Sequence, residues 1–175
     1  LLMSQTSKHL DWCLNKAKRE LEEGKKHRGL VRIKPNISKA SLHIEKAEHN
    51  FKAILYFSEG GYSDWSVSAA FYALYHCFLA VLAKQGYESR NQECTLSVIQ
   101  KLMEEKKIIL DEKFLEALRS HGEVKEKHEH TVIELREDYQ YGVKKTIDEK
   151  DKIIQLRDIC AELIEVTKKE VYENK

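Results

Sequence analysis

Apolar positions recur every three or four residues through most of this chain, which is the spacing of one face of an α-helix. The first run predicts a helix over residues 7–23, ended by Gly24, and the second predicts a helix over residues 37–58. A third run, over residues 63–85, begins at the good N-cap residue Ser63 and is apolar on nearly all sides. Such a helix is typical of the centre of a core.

Shorter helices are predicted further along the chain. Leu96 to Met103 form a fourth apolar run, which ends in a charged segment, and Asp111 can cap a fifth helix. The almost purely polar residues 120–130 predict a loop. No stretch alternates between apolar and polar side chains for long enough to predict a strand.

The last part of the chain predicts two more helical segments. A short one begins at Leu135 and is stopped by Gly142. Thr146 and Glu149 have the spacing of a capping box, in which each side chain accepts from the other residue's backbone, and they predict a final helix to about Glu170. The pattern as a whole predicts an all-α fold.

Composition narrows the class of protein further. The 175 residues include 34% charged side chains, seven Gly and one Pro, which disfavours a turn-rich β-sandwich and a disordered chain. This length suits a single domain over residues 1–175. The longest apolar run, over residues 69–83, is shorter than the roughly 20 residues of a membrane span. We therefore expect no membrane association.

The N-terminus and the cysteines bear on the cellular compartment. Residues 1–4 show no basic and apolar pattern of a secretory signal, so a cytoplasmic location is expected. The spacing of the four cysteines fits neither a small disulfide framework nor a paired metal knuckle. They are expected to be reduced thiols: Cys13, Cys77, Cys94 and Cys160.

Positive charge is concentrated near the N-terminus. Residues 1–36 carry nine Lys or Arg and four Asp or Glu, whereas the remainder has an excess of acids. A basic segment between Gly24 and Pro35 has five positive charges and no acid: Lys25, Lys26, Arg28, Arg32 and Lys34. It is either a solvated interhelical loop or a segment that contacts phosphates.

Eight histidines raise the question of a metal or acid–base site. No pair has the spacing of a zinc motif, so no metal and no cofactor is predicted. His76, on the third helix, is interpreted as a hydrogen-bonded core residue, with ligand binding as the alternative. The aromatic residues of that helix are interpreted as core packing rather than as a base-stacking surface.

A second candidate cluster precedes the last helix. Arg136, Asp138 and Tyr139 follow one another closely, and an arginine in such a setting holds a phosphate bidentately while an acid or phenol orients it. The structural alternative is an Arg–Asp pair that stabilises the turn. No Gly-rich phosphate loop and no Gly-x-Ser-x-Gly turn is present, which argues against an NTPase and a serine hydrolase.

Three segments carry a resemblance to a known family. The third helix, with the sequence GYSDWSVSAAFYALYHCFLAVL followed by KQGY, resembles the central helix of prokaryotic HEPN domains. The second helix and the connector GLVRIKP resemble the family's corresponding pieces, and LREDY at residues 135–139 resembles its L-R-x-x-x-D-Y. The resemblance extends over about residues 5–170.

The resemblance implies an up-and-down bundle of four to five main helices that forms a homodimer. It further implies RNA or nucleotide binding in a toxin–antitoxin or defence system, often beside a nucleotidyltransferase-type partner protein. Many members of the family are metal-independent endoribonucleases with an Arg followed, after four to six residues, by a His. In this chain no His follows Arg136, or any other arginine, at that spacing.

Three functions remain open at this point. The first is a HEPN-type protein that binds RNA or nucleotides without the usual nuclease motif, through a dimer cleft containing Arg136, Tyr139, His76 and the basic segment. Asp138 and Arg90 are further candidate ligand-binding residues. The second is an endoribonuclease in which Arg136 stabilises the phosphorane and His130 or His128 is the acid or base. The third is a module whose apolar helical face binds a protein partner.

Overall fold

The fold was examined in a computed structural model, which describes residues 5–119, 131–147 and 150–173. Seven helices occur in these ranges: α1 (Gln5–Glu22), α2 (Ile37–Glu59), α3 (Ser63–Lys84), α4 (Gln92–Glu104), α5 (Glu112–Ala117), α6 (Val132–Tyr141) and α7 (Lys150–Tyr172). The all-α prediction is confirmed, with four helices of 18 residues or more and the shorter α4. The predicted loop at 120–130, and Glu149 of the predicted capping box, lie outside the described residues.

Two short strands correct the prediction that the chain has none. Strand β1 (Leu30–Arg32) and strand β2 (Tyr87–Ser89) pair antiparallel, with Val31 opposite Glu88. Backbone hydrogen bonds continue the ladder at both ends, from Ile33 N to the Gly86 oxygen and from Arg90 N to the Gly29 oxygen. A three-residue strand is too short to show alternation, which is why the pattern missed it.

The chain divides into two compact units. The first comprises Leu1–His43, Phe78–Leu110 and Thr167–Lys175, and the second comprises Ile44–Cys77 and Asp111–Val166. Because α2, α3 and α7 each pass from one range into the other, they contribute residues to both units. The prediction of one domain over residues 1–175 stays a prediction.

In the first unit, α1 packs on α4 and on β1. A disulfide joins Cys13 of α1 to Cys94 of α4, with a Cα–Cα distance of 5.8 Å. The prediction that all four cysteines are reduced is therefore wrong for this pair, because helix packing brings together two residues that are 81 positions apart. It is confirmed for Cys77 and Cys160, which are free and buried.

The second unit contains the first 15 residues of α3, Ser63 to Cys77. Phe71 and Leu74 of this helix are almost fully buried, and the Cys160 thiol of α7 donates to the Ala70 carbonyl over 3.5 Å. Burial raises the pKa of that thiol. The buried Ser66 hydroxyl donates to the Ile54 carbonyl at 2.7 Å, which connects α3 to α2. These contacts make α3 the core helix that its apolar sequence predicts.

Helix α3 is also long and apolar enough to cross a membrane, judged by length and composition alone. It is the one such helix among the described residues, and 72% of its most apolar window is buried within the protein. The helix has 22 residues, so it is longer than the apolar run over residues 69–83. Such burial is typical of a core helix.

Candidate nucleic-acid interface

A cleft of about 370 Å³ lies in the second unit, beside the first turns of α3 and the end of α6. We call it the α3/α6 cleft. Its lining includes Asp64, Trp65, Ser68, Tyr139, Lys144 and Lys145. The volume lies in the range of small-ligand sites, near the lower end.

Caps at both ends of α6 determine where this helix meets the cleft. Thr131 and Glu134 form a capping box, and the Thr131 hydroxyl also donates to the Arg119 carbonyl at 2.8 Å. The helix stops at Gly142, whose N–H donates to the Asp138 carbonyl at 3.0 Å. The prediction placed the start of this helix at Leu135, and the capping box explains why it begins three residues earlier.

One hydrogen bond holds the following segment against α3. The backbone N–H of Ile147 donates to the Ser63 hydroxyl over 2.7 Å, and Ser63 is buried. Lys144 and Lys145 lie in the short segment between Gly142 and this bond, so their positions relative to α3 are constrained. Both lysines are exposed, which leaves their ammonium groups accessible to an anion.

The cleft combines an exposed aromatic ring with these cations. The Trp65 side chain is 55% exposed although it belongs to the core helix. Tyr139 is half-buried and Asp64 is the only acid in the described lining, against two lysines. An accessible indole beside ammonium groups suits a ligand that has both a flat ring and negative charge.

Arg136 lies one helical turn before Tyr139 on α6. Its guanidinium carbon is 4.2 Å from the centre of the Phe71 ring, and Phe71 in turn stacks on Tyr75 with 5.9 Å between ring centres. The Arg136 Nε is buried and has no hydrogen-bond partner among the described residues. A half-buried guanidinium whose charge is balanced by no described carboxylate is a favourable place for a phosphate.

The other residues predicted for this cluster have different surroundings. Asp138 is exposed, and the interpretation of an Arg–Asp pair that stabilises the turn stays a prediction. His76 is half-buried further along α3, and desolvation, followed by the charge of Lys46, lowers its pKa. It is not in the described cleft lining. His128 and His130 lie outside the described residues.

The residues of the basic segment belong to the first unit, so the structure describes them separately from Arg136, Tyr139 and His76. Lys25 and Arg28 line a cleft of about 290 Å³, but acids already contact them. Lys25 Nζ lies 2.7 Å from a Glu23 oxygen, and Arg28 Nε lies 3.1 Å from a Glu20 oxygen. This pairing makes their charges less available to a ligand.

Of the other basic residues predicted as ligand-binding, two contact neighbouring side chains and two are exposed lysines. Arg90 Nε is 3.3 Å from a Glu88 oxygen, and Arg32 lies over the Tyr87 ring at 5.3 Å. Lys26 and Lys34 are exposed. Because β1 occupies the middle of the segment, the interpretation as a plain solvated loop is wrong for Leu30–Arg32.

Sequence reasoning missed Trp65, Lys144 and Lys145 as site residues. The interpretation of the α3 aromatics as core packing is confirmed for Phe71 and Phe78, but it is wrong for Trp65 and for Tyr72, which is 46% exposed. Trp65 lies in the first turn of α3, two residues after the helix begins at Ser63. That position was the available indication that Trp65 is accessible.

The family model of the HEPN domain matches residues 40–171, which is most of the chain. The chain therefore belongs to the HEPN domain family. A comparison with curated proteins gave no match.

Proposed function

We propose that this HEPN-domain protein binds single-stranded RNA through the α3/α6 cleft. The observation that carries the proposal is the exposed Trp65 ring beside Lys144 and Lys145 in one cleft. Proteins that bind single strands combine a cationic groove with aromatic rings on which bases stack. Each stacked base contributes about 1–3 kcal/mol in such sites.

The arrangement suits a short stretch of strand along α3 and α6. In the proposed complex one base stacks on Trp65 and its flanking phosphates contact the two lysines. Further along the same pair of helices, Arg136 lies over Phe71, and in the proposed complex its outer guanidinium nitrogens donate to the next phosphate. Binding of this kind needs no general base, so it does not depend on the missing Arg-to-His spacing.

The test measures binding through the fluorescence of Trp65. The chain has two tryptophans, so a Trp12→Phe background leaves Trp65 as the only reporter. An RNA of about eight nucleotides is expected to quench this fluorescence and to bind more weakly at about 200 mM than at about 50 mM salt. In the same background, Lys144→Ala with Lys145→Ala should reduce the slope of log affinity against log salt by about 1.4.

One further variant separates the contribution of base stacking from that of charge. Another tests whether RNA binds at the α3/α6 cleft or at the basic segment. With a labelled RNA, Trp65→Ala should weaken binding about 10-fold and leave the salt slope unchanged. Lys25→Ala with Lys26→Ala is the matched control in the basic segment and should change neither value. RNA that is not retained even at low salt, or binding that is lost only in the Lys25/Lys26 variant, would contradict the proposal.

Assembly is a separate part of the proposal. We propose that the protein forms a homodimer and acts in a prokaryotic toxin–antitoxin or defence system, with a nucleotidyltransferase-type protein as partner. The family resemblance supports these points. A two-fold dimer would present the α3/α6 cleft twice and double the local positive charge. Light scattering of the purified chain should give twice the 20.5 kDa mass of one chain, and a monomer at all concentrations would refute the dimer.

A further inference from the structure

A histidine lies against the Cys13–Cys94 disulfide in the first unit. The donor atoms of His9, Cys13 and Cys94 all lie within 4.8 Å of one another. His9 and Cys13 are four residues apart on α1 and therefore share a face of that helix, while Cys94 is in the first turn of α4. Neither cysteine is exposed to solvent.

The His9 Nε2 atom is unsatisfied in the oxidised structure. It is buried and has no hydrogen-bond partner among the described residues. A buried polar atom without a partner is costly, and metal binding would satisfy it. The ring is positioned by Trp12, which stacks on it with 5.5 Å between ring centres.

We propose that reduction of the Cys13–Cys94 disulfide creates a zinc site formed by the two sulfurs and a ring nitrogen of His9. Thiolate and imidazole are the ligands that Zn²⁺ prefers, and two Cys with one His leave a fourth position for water. The sequence predicted no metal site because the ligands come from helices far apart in the chain.

The geometry requires only small movements. In a tetrahedral site with Zn–S distances of about 2.3 Å and Zn–N distances of about 2.0 Å, ligand atoms are about 3.5–3.8 Å apart. After the S–S bond breaks, the sulfurs separate to this distance by rotation about their Cα–Cβ bonds. One ring nitrogen of His9 already lies within 4.8 Å of both sulfurs. His9 is half-buried, whereas both cysteines are fully buried.

The chemical steps balance with a dithiol reductant. The dithiol transfers two electrons and two protons to the disulfide and becomes a disulfide itself, which leaves Cys13 and Cys94 as thiols. Zinc binding then releases both thiol protons to solvent, so the ion is held by two thiolates and a neutral imidazole. In each state a link joins α1 to α4, first covalent and then through the metal.

The experiment compares the oxidised chain with the chain reduced by a phosphine, both freed of metal. Zinc binding is measured by competition with a coloured chelator, and Co²⁺ is used to detect thiolate ligation by its charge-transfer absorption. The reduced chain should bind a single Zn²⁺, with a higher unfolding temperature in its presence. The oxidised chain should bind none, because its sulfurs are joined to each other.

Variants test each ligand. His9→Gln keeps both cysteines and should weaken zinc binding about 100-fold or more, since even outer-sphere partners of a ligand cost 10–100-fold. Cys13→Ser and Cys94→Ser should abolish the cobalt absorption of the pair. His49→Gln, an exposed histidine on α2, and Cys160→Ala, a free buried thiol, are the controls and should bind zinc normally.

The proposal is overturned by any of three results. The first is a folded, reduced chain that binds no zinc. The second is zinc binding that is unchanged in reduced His9→Gln, a variant that keeps both cysteines. The third is loss of the metal in either control, which would place the ion elsewhere.

Discussion

Replacing Gly29 by alanine is expected to lower the free energy of unfolding by about 3 kcal/mol, at the upper end of the range for overpacking. A Cβ at this position would lie 2.6 Å from the Cys13 carbonyl oxygen and 3.1 Å from the Ala17 backbone nitrogen. Both atoms belong to the backbone of α1, which cannot move aside as the end of a flexible side chain does. The start of β1 must therefore shift away from α1. Urea unfolding followed by far-ultraviolet circular dichroism measures the loss.

Gly24→Ala is the matched control for this prediction. Gly24 has a φ of +70° and nothing within 4 Å of an added Cβ, so its replacement costs backbone strain alone. That strain is about 1 kcal/mol. Gly29 has no such φ, and the effect of its replacement is steric. Equal losses in the two variants would show that the close approach of β1 to α1 does not limit stability.

The helical part of this fold could be predicted because its features are local. The apolar period predicted α1, α2 and α3 to within about two residues. Asp111 was predicted as a cap, and its carboxylate does accept from the Lys113 N–H at 2.9 Å. Caps and apolar faces act within a few residues of each other, so their pattern can be recognised in the chain itself.

The features that were missed depend on packing between distant segments. The pairing of β1 with β2 and the Cys13–Cys94 disulfide both require that α1, α4 and the strands come together in the first unit. No local period records such proximity. The predicted fourth helix began at Leu96, whereas Asn91 caps α4 five residues earlier by accepting from the Cys94 N–H at 2.9 Å.

The candidate site was predictable only in part, for a similar reason. Arg136 and Tyr139 were identified from their side-chain chemistry, and the structure places them on successive turns of α6. Trp65 was not identified as a site residue, because α3 is apolar on nearly all sides. Its sequence does not show which turns are left uncovered by other helices. Lys144 and Lys145 lie in the segment that the bond from Ile147 to Ser63 holds against α3, and this contact between distant residues has no local sequence pattern.

Glu88→Gln is expected to lower the free energy of unfolding by about 2 kcal/mol at neutral pH. The Glu88 carboxylate accepts from Lys39, lies 3.2 Å from the Nε2 of the buried His27 and pairs with Arg90. These contacts lower the pKa of Glu88 from 4.5 to about 2, and the hydrogen bond from Lys39 is the largest cause. The hydrogen bond with His27 and the charges of Lys39 and Arg90 lower the pKa further, whereas desolvation opposes them by raising it. Such a shift corresponds to an upper bound of about 3 kcal/mol, which solvent screening reduces.

The stabilisation by Glu88 should depend on pH. Because the pKa is lower in the folded chain, the unfolded chain binds the proton first, and the stabilisation is complete above pH 4.5 and lost as the pH falls to about 2. The stability of the native chain should therefore converge with that of Glu88→Gln as the solution is acidified. Glu59→Gln, an exposed carboxylate in no described ion pair, is the control and should track the native chain at every pH. A gap between native and Glu88→Gln chains that stays constant from neutral pH to about pH 2 would mean that Glu88 stabilises β2 by packing, and not by its charge.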